Sequence, residues 1–246
     1  YNYFFRFGMI IKHYELKNNL KGKSNYFLLY GQNSGLIEEI IDKDLKPIFP
    51  KNIFKYDESE ILSDINAFKE GLVNKSFFEN DKLIIINRVS DKILDIIKEI
   101  SDKKDKSLKI ILKSGNLEKK SKLRNFFEKS KNLIIVPFYE DTHQSLLFLA
   151  QNFFKENKIK ISPQNINYII ENSKGNRINL KNELEKIKNF SQKKLSVELN
   201  EIIKLTNLAE NYNISELTDQ CLARNKKKTL NILNENNPSP EDNILI

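Results

Sequence analysis

The chain has little of the chemistry that most enzymes and most secreted proteins carry. Its 246 residues include one cysteine, two histidines and no tryptophan. The single cysteine, Cys221, cannot form an internal disulfide, which favours a reducing compartment and predicts a cytoplasmic location. It lies in a helical pattern beside Leu222, so we expect it to pack inside the protein rather than act as a nucleophile. The histidines, His13 and His143, lack metal-ligand spacing, and we expect neither a metal site nor a catalytic role for them.

Long apolar runs are missing as well. No run approaches the roughly 20 residues of a transmembrane helix, and the opening "YNYFFRFG" lacks the basic start, apolar core and cleavage site of a secretory signal. We therefore predict no contact with a membrane. We interpret residues 1–8 as a leader that is not native, with Met9 as the natural start. The composition, 39% hydrophobic and 30% charged, is typical of a folded globular protein.

The charge of the chain is positive. Its 41 basic and 33 acidic residues give a net charge of +8, and the pI is near 9.2. A positive charge attracts nucleic acid. The same excess also arises where Lys, Asn and Ile dominate throughout, as in an AT-rich coding sequence. The lysines are scattered along the chain rather than gathered on one element, which fits this compositional explanation. Both interpretations stay open, because the charge permits a role beside DNA without establishing one.

The first part of the chain alternates strand-like and helix-like patterns. Apolar runs predict strands at 26–30, 82–86, 108–112 and 133–136, and a weaker run predicts one at 52–56. Helical spacing lies between them, for example at Ile61, Ile65, Phe68 and Leu72. Uninterrupted apolar strands separated by amphipathic helices are typical of a parallel sheet that is covered on both faces. We therefore predict a three-layer α/β domain that ends near Pro137.

The second part of the chain predicts helices almost exclusively. We expect them at 144–156, 163–171, 180–190, 197–205 and 214–223, and a further helix that runs from Cys221 to about Glu235. Ser162 and Pro163 form a start signal, with an N-cap followed by proline at the first helical position. The last residues, "NILI", begin a new apolar pattern. We interpret the chain as truncated at its C-terminus.

The stretch "LLYGQNSGLIEEII" has the layout of a nucleotide-binding site: an apolar run, a small polar turn and an amphipathic segment. A P-loop follows the pattern G-x-x-x-x-G-K-[ST], in which the lysine binds phosphates and the hydroxyl binds magnesium. After Gly31, the second glycine, Gly35, comes one residue early and is followed by Leu36 and Ile37. In the strict register the last three positions are Leu36, Ile37 and Glu38. Neither register supplies the lysine or the hydroxyl.

A second nucleotide-binding element is also missing. A nucleotide-hydrolysing domain needs an acidic residue at the end of another strand to hold magnesium, but the strand in "KLIIINRVSD" ends in Asn87 and Arg88. The carboxylate pairs Glu38-Glu39 and Asp57-Glu58 are expected at helix starts, where negative charge is favourable. We therefore predict a degenerate domain with no catalytic residues, no cofactor and no ATPase activity. The alternatives are an active P-loop or AAA+ ATPase with an unusual loop, and a basic nucleic-acid-binding module.

Four segments, taken in order, resemble one family. They are "YFLLYGQNSGLIEEII", "SFFENDKLIIINRV", "KSLKIILKSGNLEKKSKLRNFFEKSKNLIIVPFYE" and "NKIKISPQNINYIIENSKGNRINLKNELEKIKNF". In this order and spacing they resemble the delta subunit of bacterial DNA polymerase III, which opens the sliding clamp within the clamp loader. The resemblance runs from about Met9 to the C-terminus.

The resemblance implies an AAA+-like domain without ATPase activity, followed by a helical lid and a helical collar. On this basis we expect the α/β domain at 9–140, the lid at 141–212 and the start of the collar at 213–246. The implied partners are the sliding clamp (beta), the ATPase subunits and delta prime, with DNA met only indirectly or weakly, in a DNA-directed DNA polymerase holoenzyme. The family's collar joins five subunits into a ring, and we expect this chain to end too early to join it.

The resemblance also implies roles for individual residues. In the family, two adjacent apolar residues after this helix enter a pocket on the clamp, and Phe77 and Phe78 of "SFF" match that pair. From the residues alone, either ring could instead pack into its own domain, as most aromatic side chains do. In active relatives an arginine in the region of Arg177 senses ATP. Because no nucleotide is expected here, we predict that Arg177 lies on the surface.

Overall fold

The chain folds into two compact units. The computed structural model describes residues 9–19, 24–49, 52–73, 81–103, 105–130, 132–191, 196–207 and 214–235. The boundary between the units lies between Glu140 and Asp141. Within the described ranges, no helix has both the length and the apolar character that crossing a bilayer needs.

The first unit contains a six-stranded sheet in which every pair of neighbouring strands is parallel. Its strands are β1 (Met9–Ile10), β2 (Tyr26–Gly31), β3 (Ile53–Asp57), β4 (Lys82–Asn87), β5 (Leu108–Ser114) and β6 (Leu133–Phe138). They lie in the order β1-β6-β2-β5-β4-β3. The five predicted strands and their parallel arrangement are confirmed. The two-residue β1 was not predicted, because two residues cannot form a recognisable apolar pattern.

Helices connect these strands. They are α1 (Leu16–Asn19), α2 (Ser34–Ile40), α3 (Glu58–Ser63), α4 (Ile65–Val73), α5 (Leu94–Asp102) and α6 (Lys122–Lys129). One π-helical stretch, Ile41–Leu45, continues α2, and a short 3-10 helix, Asp91–Ile93, leads into α5.

The sheet separates two apolar cores. Because side chains alternate between the faces of a strand, Leu28 lies in one core and its neighbours Phe27 and Leu29 lie in the other. The first core contains apolar side chains of α3, α4, α5 and α6, and the second contains those of α1 and α2. Both faces of the sheet are therefore covered, which confirms the predicted three-layer α/β arrangement.

The second unit is helical. Helices α7 (His143–Glu156), α8 (Pro163–Asn172), α9 (Arg177–Ser191) and α10 (Leu199–Asn207) share one apolar core. Helices α11 (Ile214–Leu222) and α12 (Lys226–Glu235) contact each other. The predicted start of α8 is confirmed, since the Ser162 side chain accepts a hydrogen bond from the amide of Asn165 and Pro163 follows directly.

Two expectations for the end of the second unit are wrong. The last described helix does not start at Cys221, because residues 223–225 form a turn in which Arg224 has a φ of 55°. Cys221 is exposed rather than packed. It lies in the last turn of α11, one residue before Leu222, which is itself 77% exposed.

Candidate functional site

The candidate site lies at the edge of the sheet where the parallel strands end. The loop after β2 passes through Gln32 and Asn33 into α2. In open parallel sheets this edge is where ligands commonly bind. Of the four residues predicted for a degenerate nucleotide loop, Gly31 ends β2, while Gly35, Leu36 and Ile37 lie in the first half of α2.

Gly31 is needed where two backbones approach each other. Its φ is 139°, and a Cβ atom on it would lie 2.0 Å from the carbonyl oxygen of Phe138 in β6. Its amide donates a hydrogen bond of 3.0 Å to the carbonyl of Gly115. The glycine at the start of the P-loop pattern is therefore explained by packing within the sheet, without any phosphate.

Asn33 closes the loop that would hold a phosphate. Its side chain is buried, its Oδ1 accepts a bond of 3.0 Å from the amide of Leu36, and its Nδ2 donates a bond of 3.1 Å to the carbonyl of Tyr139. The amide of Ser34 donates to the carbonyl of Gln32 at 3.0 Å. A phosphate cradle needs such amides to be free. Here they are used inside the protein.

The next side chains of α2 face the core. Gly35 is buried, and Leu36 and Ile37 belong to the core that α2 covers. Glu38 is exposed and forms an ion pair with Lys113 of β5. It lies in the second turn of α2, so the expectation that Glu38 and Glu39 mark a helix start is wrong. In the strict register, the position of the P-loop lysine is thus occupied by the core residue Ile37, and that of the hydroxyl by the carboxylate of Glu38.

The carboxylates near the end of β4 have structural partners. Asp57 caps α3 together with Glu60, which confirms the helix start predicted there, and it forms an ion pair with Arg88, whose φ is 54°. Buried Glu58 accepts hydrogen bonds from the amide of Ser90 at 2.7 Å and from its hydroxyl at 2.8 Å. Among the described residues, no cluster of three or more His, Cys, Asp or Glu could hold a metal ion.

Arg124 of α6 packs against the end of β2. Its guanidinium lies 5.2 Å from the centre of the Tyr30 ring, Nε donates to Glu128 at 2.7 Å, and Nη1 donates to the carbonyl of Leu117 at 3.0 Å. The hydrogen bond to Glu128 raises the pKa of Arg124, and burial raises the pKa of Tyr30. The guanidinium of Arg124 is therefore bound by groups of its own unit and does not replace the missing P-loop lysine.

Asp91, just after β4, holds the start of α6. Its carboxylate accepts hydrogen bonds from the hydroxyl of Ser121 at 2.6 Å and from the amides of Leu123 at 2.9 Å and Lys122 at 3.0 Å. Burial alone would raise the pKa of Asp91, but these three hydrogen bonds outweigh it and lower the pKa below its usual value. The charged form is thus the one that the fold stabilises.

We predict that Asp91→Ala lowers the free energy of unfolding by about 1 kcal/mol at pH 7, since a helix cap is lost. A carboxyl whose pKa is lower in the folded state than in the unfolded state stabilises the fold at pH values above the unfolded-state pKa. This stabilisation is lost as the pH falls through the folded-state pKa. The difference from wild type should therefore shrink below about pH 4. Urea unfolding at several pH values measures it.

Asp95→Ala is the matched control for this prediction. Its side chain is 94% exposed and pairs with Lys98, so the substitution should change stability by less than about 0.5 kcal/mol. Equal losses from both variants, or a loss from Asp91→Ala that does not change with pH, would contradict the role given to Asp91.

The second unit contains a buried ion pair at its beginning. Nη1 of Arg177 lies 2.8 Å from Oδ1 of Asp141, and the two side chains are 13% and 5% exposed. The hydroxyl of Ser145 donates to the same carboxylate oxygen at 2.6 Å. The expectation that Arg177 lies on the surface is therefore wrong. A sequence pattern does not reveal this pair, because its members are separated by the whole of α7 and α8.

The predicted clamp-binding residues, Phe77 and Phe78, lie in the stretch 74–80, outside the described residues. The elements on either side are described. Lys82, the first residue of β4, is 6% exposed, and its Nζ donates to the carbonyl of Gly71 at 2.7 Å. This ammonium also lies 5.7 Å from the centre of the Phe54 ring. One side chain thus ties the end of α4 to the start of β4.

The fold is that of an AAA+-like protein. The DNA clamp loader delta protein of Bacillus subtilis has a similar structure, with a TM-score of 0.52 and 15% identity over 93% of this chain and 73% of that one. The RuvB Holliday junction branch migration motor of Thermotoga maritima matches with a TM-score of 0.51 and 13% identity, over 79% of this chain and 65% of that one.

Sequence similarity points to delta subunits of DNA polymerase III. A protein of Rickettsia prowazekii (strain Madrid E) named "Probable DNA polymerase III subunit delta" is 26% identical over 237 residues, which cover 91% of this chain and 67% of that protein. No protein-family model matches the chain. Together with the fold, this similarity confirms the resemblance to delta subunits of DNA polymerase III that the sequence predicted.

Proposed function

We propose that the chain acts as a clamp-loader subunit of the delta type, which binds the sliding clamp and opens it so that it can be placed on primed DNA. The observation that carries the proposal is an AAA+-like fold in which the loop after β2 is closed by Asn33. The similarity to a delta subunit over 91% of the chain supports the same role. Such a subunit would work in the cytoplasm beside the ATPase subunits and delta prime, meeting DNA indirectly.

The clamp-binding residues that we propose are Phe77 and Phe78. They follow α4, whose end is held to β4 by the ammonium of Lys82. The described residues on either side of this stretch, at the end of α4 and the start of β4, are thus held together. Aromatic residues of this kind are frequent hot spots of protein interfaces.

The energy for opening would come from binding. A partner that binds an open clamp more tightly than a closed one shifts the clamp towards the open state by the difference in affinity. No ATP hydrolysis within this chain is needed for that shift. In this mechanism the retained AAA+-like unit serves as the rigid support for the clamp-binding segment.

We predict that the protein neither binds nor hydrolyses ATP. The chain lacks the phosphate-binding lysine, and the amides of Ser34 and Leu36 already have partners. Isothermal titration with Mg-ATP should give no binding heat at ATP concentrations up to about 1 mM. A dissociation constant of about 1 mM corresponds to a binding free energy of about −4 kcal/mol, so only a weaker complex would escape detection. The Asn33→Ala variant should also show no ATP binding, because it frees the amide of Leu36 but supplies no lysine. Micromolar binding by the wild-type chain would contradict the closed-loop interpretation.

Clamp opening can be tested by release from DNA. Sliding clamps from the same organism are first assembled on nicked circular DNA, from which a closed ring cannot slide. Adding the purified chain should release labelled clamp, measured by gel filtration, because an open ring can leave the circle. Clamp that binds the chain but stays on the circle would contradict opening. Binding to DNA alone, with a steep salt dependence and no clamp binding, would favour the basic nucleic-acid-binding module instead.

A further inference from the structure

A groove with a basic rim lies between α5 and α6 of the first unit. It has a volume of about 490 Å³. The residues that line it include Leu94, Lys98, Lys122, Asn125, Phe126 and Lys129.

The lysines of this groove are available to a ligand. Among the described residues, neither Lys122 nor Lys129 has a salt-bridge partner. Lys122 lies near enough to Asp91 to help lower the pKa of that carboxyl, but the two side chains form no ion pair. On the opposite wall, Lys98 is bound to Asp95 at 3.3 Å, and that carboxylate is 94% exposed. An exposed pair of this kind contributes little and can exchange partners.

The floor of the groove is apolar. Leu94 is 7% exposed, and Phe126 is partly buried against the core. On α6, Lys122, Phe126 and Lys129 follow each other at intervals of four and three residues, so they share one face of the helix. The two lysines are seven residues apart, about 10 Å along the axis. Carboxylates on one face of an extended peptide recur about every 7 Å, a spacing that two flexible lysine side chains can meet.

The surroundings favour a peptide over a nucleic acid. A helix start is a frequent phosphate site because its amides are free, but at α6 the amides of Lys122 and Leu123 are already bound to the carboxylate of Asp91. Base stacking needs an open aromatic face, whereas Phe126 packs against the core.

We propose that the groove between α5 and α6 is a docking site for an acidic peptide segment of a partner protein that alternates carboxylates with apolar anchor side chains. The apolar side chains would enter the groove between Leu94 and Phe126, as in other peptide-binding grooves. The carboxylates between these anchors would meet the flexible lysine side chains of the rim, Lys98, Lys122 and Lys129. This proposal does not rest on the proposed clamp contact.

The full chain and a fluorescein-labelled octapeptide of four Asp-Leu repeats test the proposal. Fluorescence anisotropy in about 0.15 M salt, where unspecific charge attraction is screened, should show saturable binding. The double variant Lys122→Glu and Lys129→Glu should weaken it by about tenfold or more, because two ion pairs become two repulsions. The double variant Lys55→Glu and Lys204→Glu carries the same net charge, and both of its sites are exposed elsewhere; it should bind within about twofold of wild type.

Two further probes make the result decisive. Four Asp-Ser repeats keep the charge but lack the apolar anchors, so they should bind at least about tenfold more weakly. A labelled ten-residue oligothymidine reports the nucleic-acid alternative. No saturable binding of the Asp-Leu peptide, equal losses in both double variants, or tighter and more lysine-dependent binding of the oligothymidine would each overturn the proposal.

Discussion

Replacing Phe77 and Phe78 together by alanine should weaken binding of the sliding clamp by about a thousandfold. Truncating one interface hot spot typically costs about 2 kcal/mol, roughly thirtyfold in affinity, and two such losses give this value if they add. Hot-spot effects are often not additive, so the two single variants belong in the same series. Surface plasmon resonance with immobilised clamp measures the affinity of each variant.

A matched control separates a lost contact from lost folding. Phe148 of α7 is 66% exposed and has no part in the proposed clamp contact, so Phe148→Ala should bind the clamp like wild type. Circular dichroism should show wild-type helix content in every variant. Normal clamp binding by the double variant would show that these rings do not bind the clamp. A loss of binding that accompanies unfolding would indicate that they pack within their own domain.

Replacing Gly31 by alanine should destabilise the first unit by about 3 kcal/mol or more. The added Cβ would lie 2.0 Å from the carbonyl oxygen of Phe138, a backbone atom that cannot turn aside, and the φ of 139° is rarely adopted by other residues. Backbone strain and overpacking each cost about 1–3 kcal/mol. The free energy of unfolding, taken from urea titrations followed by circular dichroism, measures the loss.

Gly115→Ala is the control for this substitution. Gly115 accepts the hydrogen bond from the amide of Gly31, but a Cβ at Gly115 would meet no atom within 4 Å. Its replacement should change the free energy of unfolding by no more than about 0.5 kcal/mol. A small effect of Gly31→Ala would mean that β2 and β6 separate easily there, and the packing explanation for this glycine would then be lost.

The sheet could be predicted from the sequence because its pattern is local. Strands β2, β4, β5 and β6 are apolar runs with helical spacing between them, because both of their faces are buried. The partly exposed edge strand β3 has only the weaker run. The start of α8 was equally local, since Ser162 and Pro163 are adjacent. The end of α11 was not, because its last turn carries Cys221 and Leu222, apolar residues that the fold leaves exposed.

The candidate site could be predicted only where a residue type was missing. The absence of a lysine after Gly35 is visible in the sequence, but the closing of the loop depends on Asn33 reaching the carbonyl of Tyr139, which lies 106 residues away. A local signal did exist, since asparagine just before a helix start is a common N-cap. The pair of Asp141 and Arg177 had no such signal, because it depends on tertiary packing.

We propose that this chain binds the sliding clamp without using a nucleotide. The most direct measurement is the affinity of the purified chain for the clamp of the same organism, determined by surface plasmon resonance with and without Mg-ATP. We predict saturable binding with the same dissociation constant in both conditions, because the chain lacks the phosphate-binding lysine and the amides of Ser34 and Leu36 have partners within the protein. Binding that requires ATP, or no binding in either condition, would contradict the claim.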